Sequence, residues 1–214
     1  MDKSIAELRR DYTLGALTKA SVDPDPIKQF QRWLQEAIAA QLPEPNAMTV
    51  ATADRAGRIY ARMMLLKDCD ADGFVFFSNY QSDKGRQLAE NPRAALLFPW
   101  LELERQVRIE GVVSKISSAE SVAYFRARPR DSRLGSLTSR QSQVVASRRL
   151  LDERFERLAA QYPDDDIPMP EHWGGYRARP ERLEFWQGRH GRLHDRLRYS
   201  ARPGGGWLLE RLEP

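Results

Sequence analysis

From Met48 onward, hydrophobic and polar residues alternate along several short segments, a spacing of two that is typical of β-strands. The runs MTVATA and RIYARMMLLKD are separated by the turn ADRAG and predict a β-hairpin. Further strands are predicted at GFVFFSN, Arg93–Trp100, Glu104–Ser114, Arg182–Trp186, Leu193–Ser200 and the final WLLERL. The chain is therefore expected to fold mainly as antiparallel β-sheet.

Three segments show the spacing of an amphipathic helix instead. They are Ile27–Gln41, Ser117–Arg130 and Ser147–Tyr162, and in the first of them Phe30 and Ile38 are expected on the buried face. Helices around an antiparallel sheet predict an α+β fold that is mainly β with peripheral helices, best satisfied by a closed or split barrel.

The first 25 residues have weak helical character at best and end in SVDPDP, whose two prolines interrupt regular structure. A mobile N-terminal arm is expected over residues 1–25. It is followed by one domain over residues 26–214, which is long enough to bury a hydrophobic core.

Composition limits the classes of function. The formal charge of +4, from 34 basic and 30 acidic residues, is too small to indicate a nucleic-acid-binding protein. Arginine greatly outnumbers lysine, and its planar group suits phosphate and carboxylate. With one cysteine, Cys69, neither an internal disulfide nor a multi-cysteine metal site is expected. No signal-peptide pattern or membrane-spanning apolar run occurs, so the cytoplasm is the expected location.

Common catalytic motifs are missing from the sequence. There is no G-x-G-x-x-G or Walker-type loop, and no serine–histidine–acid set stands out. His190 and His194 are four residues apart, but they lie on strand-like backbone without clustered carboxylates, so no metal site is expected.

The segment FWQGRHGRLHDR, residues 185–196, concentrates the candidate chemistry. If its second part is extended, Arg192, His194 and Arg196 share one face of a strand. Two cations with an imidazole between them would suit a planar, anionic ligand. The alternative is a solvated strand edge, where charge is common, but such an edge needs neither Trp186 nor two nearby histidines.

Two further cations lie in the run Arg62-Met-Met-Leu-Leu-Lys67. Their odd spacing places them on opposite faces of a regular strand, which favours two separate anions over one shared phosphate. Equally, each could simply cap a strand end in water. A third cation, Lys84, follows the helix N-cap Ser82, where free backbone N–H groups favour a phosphate.

Tyr124 and Arg128 are four residues apart on a predicted helix, so they share a face. Pro129 can begin a second helix, which brings Ser132 close to its N-terminus. Two hydroxyls and a guanidinium converging there would suit a phosphate monoester, although an arginine-rich helix end is more often solvated.

FWQG followed by RLHDR, the pair Arg62 and Lys67, and the run YFRARPRDS together resemble the pyridoxamine (pyridoxine) 5′-phosphate oxidases. The resemblance extends from Arg9 to Arg196. It implies an FMN-binding split barrel that works as a homodimer with flavin at the subunit interface. The implied reaction oxidises pyridoxamine or pyridoxine 5′-phosphate to pyridoxal 5′-phosphate, with O2 as the electron acceptor and H2O2 as product.

The resemblance also assigns roles to residues. Those implied for FMN are Arg62, Lys67, Phe77, Ser78, Lys84, Gln106, Gln141, Ser142, Trp186 and Arg196. Those implied for the substrate phosphate are Lys67, Tyr124, Arg128 and Ser132. Arg192 and His194 would cover the pyridine ring as catalytic residues, and Arg9 and Tyr12 would form a lid. One departure is Asp83, where family members often have arginine before the lysine; its carboxylate is expected to point away or to pair with a cation.

Two other functions stay open at this stage. A related split-barrel flavoprotein would bind FMN but ignore B6 vitamers. A basic RNA-binding module would be colourless and would bind with a steep salt dependence.

Overall fold

The computed structural model describes residues 4–8 and 11–214. The helices are α1 Pro26–Ala39, α2 Asp83–Glu90, α3 Ser118–Ala127, α4 Arg130–Thr138 and α5 Arg148–Gln161. The strands are β1 Ala47–Ala53, β2 Ile59–Leu65, β3 Asp68–Asp70, β4 Gly73–Asn79, β5 Arg93–Trp100, β6 Arg105–Lys115, β7 Trp173–Gln187, β8 Asp195–Ala201 and β9 Trp207–Leu212. Within the described ranges, no helix combines the length and apolar character needed to cross a membrane. The cytoplasmic location stays a prediction.

The nine strands of the described residues form one antiparallel sheet. Seven follow the order β2-β1-β5-β6-β7-β4-β3, while β8 pairs with β7 and β9 pairs with β8. Strand β7 is the branch point. One of its edges pairs with β6 along its length, whereas the other edge pairs with β4 in its first half and with β8 in its second half. The sheet therefore curls and divides at β7, as predicted for a split barrel with peripheral helices.

A β-bulge interrupts β7 at Glu181. Gly111 pairs with Pro180, but the preceding residue, Glu110, pairs with Arg182, so Glu181 is an extra residue. Before the bulge the buried side chains include Tyr176 and Ala178; after it they are Leu183 and Phe185. The bulge thus switches the core-facing positions from even to odd numbers.

The core lies between the concave face of the sheet and α1. The Phe30 ring is fully buried and meets the rings of Phe74 and Phe98 at centroid distances of 4.9 Å each. Asp25 caps α1 by accepting from the Ile27 N–H, and Pro26 occupies the first helical turn. The buried face of the helix is completed by Trp33 and Ala37.

Most predicted elements are confirmed, but several details are wrong. The helix predicted over Ser117–Arg130 ends at Ala127, so Arg128 lies just beyond it with an extended backbone. Ile38 is 48% exposed, because Ala37 takes the inward position in that turn of α1. The strand predicted through Lys67 ends at Leu65, and a short strand, β3, that was not predicted follows it. The strand predicted from Leu193 begins at Asp195, and Arg192 lies in a 3₁₀ turn. Pro129 is the N-cap of α4, one position before the expected first helical residue.

The N-terminal arm is held against the end of the sheet by its backbone. The Leu17 side chain is buried, its N–H donates to Asp195, and its carbonyl accepts from Arg211. Arg189 donates to the carbonyl of Gly15. The predicted mobility of the arm and the domain boundary at residue 26 stay predictions, and Arg9 lies outside the described residues.

Candidate functional site

A cavity of about 610 Å³, called here the large cavity, opens between the ends of β2 and β4 and the helices α3 and α4. Eight residues predicted for cofactor or substrate line it: Lys67, Phe77, Ser78, Lys84, Tyr124, Arg128, Ser132 and Gln141. They come from five separate stretches of the chain. The structure therefore brings together most of the residues that were predicted to hold phosphates.

Four cations at or near the large cavity have no carboxylate partner: Lys67, Lys84 and Arg128 line it, and Arg62 lies close enough to Lys84 to lower its pKa. In the part of the chain that the structure describes, Arg62, Lys67, Lys84 and Arg128 form no ion pair, although most of the other arginines do. Their positive charge is therefore available to an anionic ligand.

Lys84 is the most buried of these cations, at 7% exposure. Its Nζ lies 3.1 Å from both Ser78 Oγ and Gln141 Oε1, which are neutral acceptors. Burial, with a smaller contribution from the nearby Arg62, lowers the pKa of Lys84. Ser82 caps α2 by accepting from the Gly85 N–H, which fixes Lys84 in the first helical turn.

Arg62 reaches the same region from β2. Its guanidinium donates to Val50 O, to Thr52 Oγ1 at 2.6 Å and to Gln87 Oε1 at 3.2 Å, all of them neutral. Burial lowers its pKa. Because β2 ends at Leu65, the alternation of faces does not extend to Lys67, so the argument that placed the two cations on opposite faces does not apply.

Asp83 forms an ion pair with Arg86 on the exposed side of α2. The expectation that this carboxylate pairs with a cation is confirmed. Ser142 lies next to Asp83, and the Asp83 N–H donates to Ser142 Oγ at 3.2 Å. The backbone of Ser142 is left-handed. Ser142 lines a small neighbouring cavity instead of the large one.

Arg128 is held by an aromatic stack at the floor of the large cavity. The ring of Tyr124 stacks on Phe77 at 3.9 Å, and Phe77 stacks on Trp173 at 5.3 Å. The guanidinium carbon of Arg128 lies 4.7 Å from the Trp173 ring centroid. Arg128 also donates to Ser136 Oγ at 2.7 Å. Burial is the main cause of the lowered pKa of Arg128.

A second group of predicted residues lies elsewhere and is called here the Trp186 cluster: Tyr12, Gln106, Trp186 and His194. Tyr12, Gln106 and Trp186 line a cavity of about 170 Å³. The rings of Trp186 and His194 are 4.6 Å apart, and Tyr12 meets both rings edge-on at 5.6 Å. Gln106 is opposite Trp186 in the pairing of β6 with β7.

His194 accepts a hydrogen bond on Nδ1 from the Arg189 N–H at 3.1 Å. Burial and the charge of Arg192 lower its pKa from the ordinary value of 6.5. The imidazole is therefore neutral at pH 7, with its proton on Nε2.

Arg192 and Arg196 were predicted to share a strand face with His194, but the structure arranges them differently. Arg192 is exposed and has a left-handed backbone, with a φ of 62°, so the predicted common strand face of Arg192, His194 and Arg196 is wrong. Arg196 pairs with buried Glu184 at 2.8 Å. A contact of either arginine with a ligand stays a prediction.

The large cavity and the Trp186 cluster lie at opposite ends of β7. Trp173, at its first position, lines the cavity, and Trp186 is its penultimate residue. Because a strand rises about 3.3 Å per residue, roughly 40 Å of extended chain separates the two. Within the described part of one chain, the two groups line separate cavities.

Sequence reasoning missed Trp173 and Ser136. Neither residue was given a role from the sequence. Both contact Arg128 in the structure. Ser136 follows Ser132 by four positions on α4, which was the available signal for it.

Two family models match most of the chain. One, described as pyridoxamine 5′-phosphate oxidase, matches residues 34–162. The other, described as pyridoxine 5′-phosphate oxidase C-terminal dimerisation region, matches residues 173–214. Together they contain both the large cavity and β7 to β9.

Curated relatives match over nearly the full length. A pyridoxine/pyridoxamine 5′-phosphate oxidase of Trichormus variabilis is 56% identical, with all of both chains covered. One of the same description from Paraburkholderia phymatum is 56% identical over 99% of both chains.

Solved structures agree on the fold. PhzG from Burkholderia lata, in complex with tetrahydrophenazine-1-carboxylic acid, has a TM-score of 0.88 at 32% identity, covering 94% of this chain and 99% of that one. A pyridoxamine 5′-phosphate oxidase-related, FMN-binding protein from Nostoc punctiforme has a TM-score of 0.72 at 18% identity, covering 86% and 97%. The split-barrel prediction is confirmed by these matches.

Proposed function

Because the chain belongs to the pyridoxamine 5′-phosphate oxidase family, we propose that the large cavity of one subunit and the Trp186 cluster of another form its active site. The enzyme is an FMN-dependent oxidase of pyridoxine and pyridoxamine 5′-phosphates; the full-length relatives are described as pyridoxine/pyridoxamine 5′-phosphate oxidases. The observation that carries the site assignment is the set of unpaired cations around a cavity that also presents Tyr124 and Ser132.

The residues around the large cavity fit FMN. Lys84 is buried and Arg62 is half-buried, yet both donate only to neutral groups, so a phosphate would replace weak acceptors with a dianion. When bound, FMN supplies the redox chemistry, taking a hydride equivalent from the substrate and passing electrons to O2. The same cavity is lined by Phe77, Ser78 and Gln141, and Ser142 lies beside Asp83 next to it. These four residues would complete the FMN side of the site.

The substrate phosphate would bind deeper along α3 and α4. Arg128 supplies a planar pair of donors, and the hydroxyls of Tyr124 and Ser132 add neutral donors beside it. Lys67 lines the same cavity and adds a second positive charge. Together these groups select for a phosphorylated vitamer over the free alcohol or amine.

The Trp186 cluster would cover the other side of the substrate. Neutral His194 offers Nε2–H as a donor, and Arg192, which is exposed in the isolated chain, adds a cation. Trp186, Gln106 and Arg196 would contact the flavin there. These residues orient the pyridine ring and exclude water, and such positioning contributes several kcal/mol to catalysis.

A homodimer would join the two groups. Residues 173–214, which match the dimerisation region, contain the whole Trp186 end of β7. In a two-fold dimer each subunit contributes the same surface to its partner. Two equivalent active sites would result, each with a large cavity from one subunit and a Trp186 cluster from the other.

Anaerobic reduction tests the function directly. The purified protein should be yellow, pyridoxine 5′-phosphate should bleach its flavin absorbance, and air should restore the colour with release of H2O2. A yellow protein that B6 phosphates leave unbleached would instead indicate a related flavoprotein with another substrate, such as a reduced phenazine carboxylate. A colourless protein that takes up no FMN would contradict both functions.

A further inference from the structure

Glu104 lies at the corner that leads into β6, and its side chain points at the N-terminal arm. One carboxylate oxygen accepts from the N–H of Thr13 at 2.8 Å and from the N–H of Leu14 at 2.9 Å. Thr13 and Leu14 are exposed, whereas Glu104 is only 2% exposed. A buried carboxylate is thus directed at the backbone of a surface segment.

The main chain of Glu104 is fixed to the end of β7. Its carbonyl accepts from the Gly188 N–H at 2.7 Å and from the side-chain amide of Gln187 at 3.2 Å. Its φ of 52° is a left-handed conformation that a non-glycine residue adopts at a cost of order 1 kcal/mol. The left-handed residue ends the 3₁₀ turn Leu101–Leu103, and its N–H donates to the Leu101 carbonyl.

The arm carries Tyr12 onto the Trp186 cluster. Tyr12 directly precedes the two residues that Glu104 holds, and its ring meets Trp186 and His194 at 5.6 Å each. Gly188 provides the space: a Cβ atom there would lie 2.7 Å from Tyr12 Cγ. Two features thus fix the position of Tyr12: the hydrogen bonds of the arm to Glu104 and the space at Gly188.

We propose that Glu104 is a positioning residue for the substrate, because by binding the Thr13 and Leu14 N–H groups it keeps Tyr12 and the arm across the Trp186 cluster. This inference rests on the proposed function. Glu104 touches neither substrate nor flavin; it acts through the arm, which retains the pyridine ring of the B6 phosphate. A charged acceptor serves this role better than a neutral one, since hydrogen bonds to ionised groups are stronger.

The test removes the donor and leaves Glu104 unchanged. Thr13→Pro eliminates one N–H at an exposed position, and Thr13→Ala, which keeps it, is the matched control. In the holoenzyme, Thr13→Pro should raise KM for pyridoxine 5′-phosphate about tenfold, the loss expected for one hydrogen bond to a charged group. Its kcat, melting temperature and FMN affinity should stay close to the wild-type values, as should all properties of Thr13→Ala.

Gly188→Ala should move Tyr12 without changing Glu104. Its Cβ displaces the Tyr12 ring, while the hydrogen bonds from the Thr13 and Leu14 N–H groups to Glu104 remain. The variant should raise KM in the same way. Glu104→Ala and Glu104→Gln complete the set: amide hydrogen exchange of residues 11–17 should be fastest in Glu104→Ala, with partial protection restored by the glutamine oxygen.

Faster exchange of the arm in Thr13→Pro with an unchanged KM would overturn the proposal, because Glu104 would then only stabilise a surface segment. Equal KM values for Thr13→Pro and Thr13→Ala would do the same. If the wild-type protein oxidised no B6 phosphate, the proposed function and the substrate role would fail together. The exchange data would still show separately whether Glu104 holds the arm.

Discussion

The guanidinium of Arg128 lies over the ring of Trp173, 4.7 Å from its centroid, although 45 positions separate the two residues in the chain. Trp173 therefore holds a cation that has no carboxylate partner in the described part of the protein. The indole face supplies attraction without neutralising the charge, so Arg128 stays available to a phosphate.

Replacing Trp173 by leucine should raise KM for pyridoxine 5′-phosphate by roughly three- to thirtyfold, the range expected when a partly desolvated cation–π contact is lost. Trp173→Phe, which keeps an aromatic face, should lie near the wild-type value. FMN affinity, measured by flavin fluorescence, should change little in both. A parallel loss of FMN from Trp173→Leu would show that the residue supports the whole cavity and not Arg128 alone.

Arg128→Met should lower kcat/KM for the phosphorylated substrate by about 10- to 150-fold, because a hydrogen-bonded charge on the phosphate is lost. The control is Arg126→Met, an exposed arginine on α3 two positions away. Steady-state oxygen consumption gives the comparison. Equal activity in the two variants would remove Arg128 from the phosphate site.

Lys84→Met should have opposite effects on the apoprotein and the holoenzyme. In the apoprotein, loss of a buried cation with neutral partners should raise the melting temperature, since burial opposes its charge. FMN affinity should fall at least about tenfold, because a charged hydrogen bond to the cofactor is lost. Lys28→Met on the exposed side of α1 is the control. An unchanged FMN affinity would contradict the assignment.

His194 should titrate below 6.5, and Arg192→Met should raise its pKa, because the arginine charge disfavours the imidazolium. Since the folded-state pKa lies below the unfolded value, protonation costs stability: the contribution of His194 is present above pH 6.5 and is lost as the pH falls below 6.5 through the lower folded-state pKa. NMR titration of the His194 ring, assigned with His194→Gln, measures both effects. A pKa that Arg192→Met leaves unmoved would show that Arg192 is too distant to act on this imidazole.

Mixing two impaired variants tests the shared active site. Arg128→Met damages the large cavity and Arg192→Met the other half, so a mixed dimer would contain one intact site and one doubly altered site. Unfolding and refolding an equal mixture should recover about one quarter of wild-type activity, since half of the dimers are mixed and each has one good site. Each variant refolded alone is the control. No recovery would indicate that both residues act within one subunit.

The sequence predicted local features well and long-range ones poorly. Alternation located eight of the strands, and the Ser82 cap correctly placed Lys84 in the first turn of α2, because these properties depend on neighbouring residues. Periodicity failed at Arg192, since Gly191 and Arg192 both adopt a left-handed backbone that alternation does not reveal. The contact of Trp173 with Arg128 arises only when β7 and α3 pack together, so no local pattern could indicate it.

The resemblance to a family supplied the roles that local reasoning left open, such as Gln106, which would otherwise be an ordinary strand residue. It could not show that the predicted residues fall into two groups, one at the large cavity and one in the Trp186 cluster. That division follows from the length of β7, whose first residue lies at the large cavity and whose far end carries Trp186.

The extra residue at Glu181 bends β7 between its two ends. Pro180 and Arg182, on either side of it, pair with consecutive residues of β6, so deleting Glu181 would restore a regular ladder and leave Leu183 facing the core. The deletion would remove the local kink and the added twist that a bulge gives a strand. Trp186 would then follow the first half of β7 at a different angle, and the surface offered to a partner subunit would move although every residue of the large cavity is unchanged.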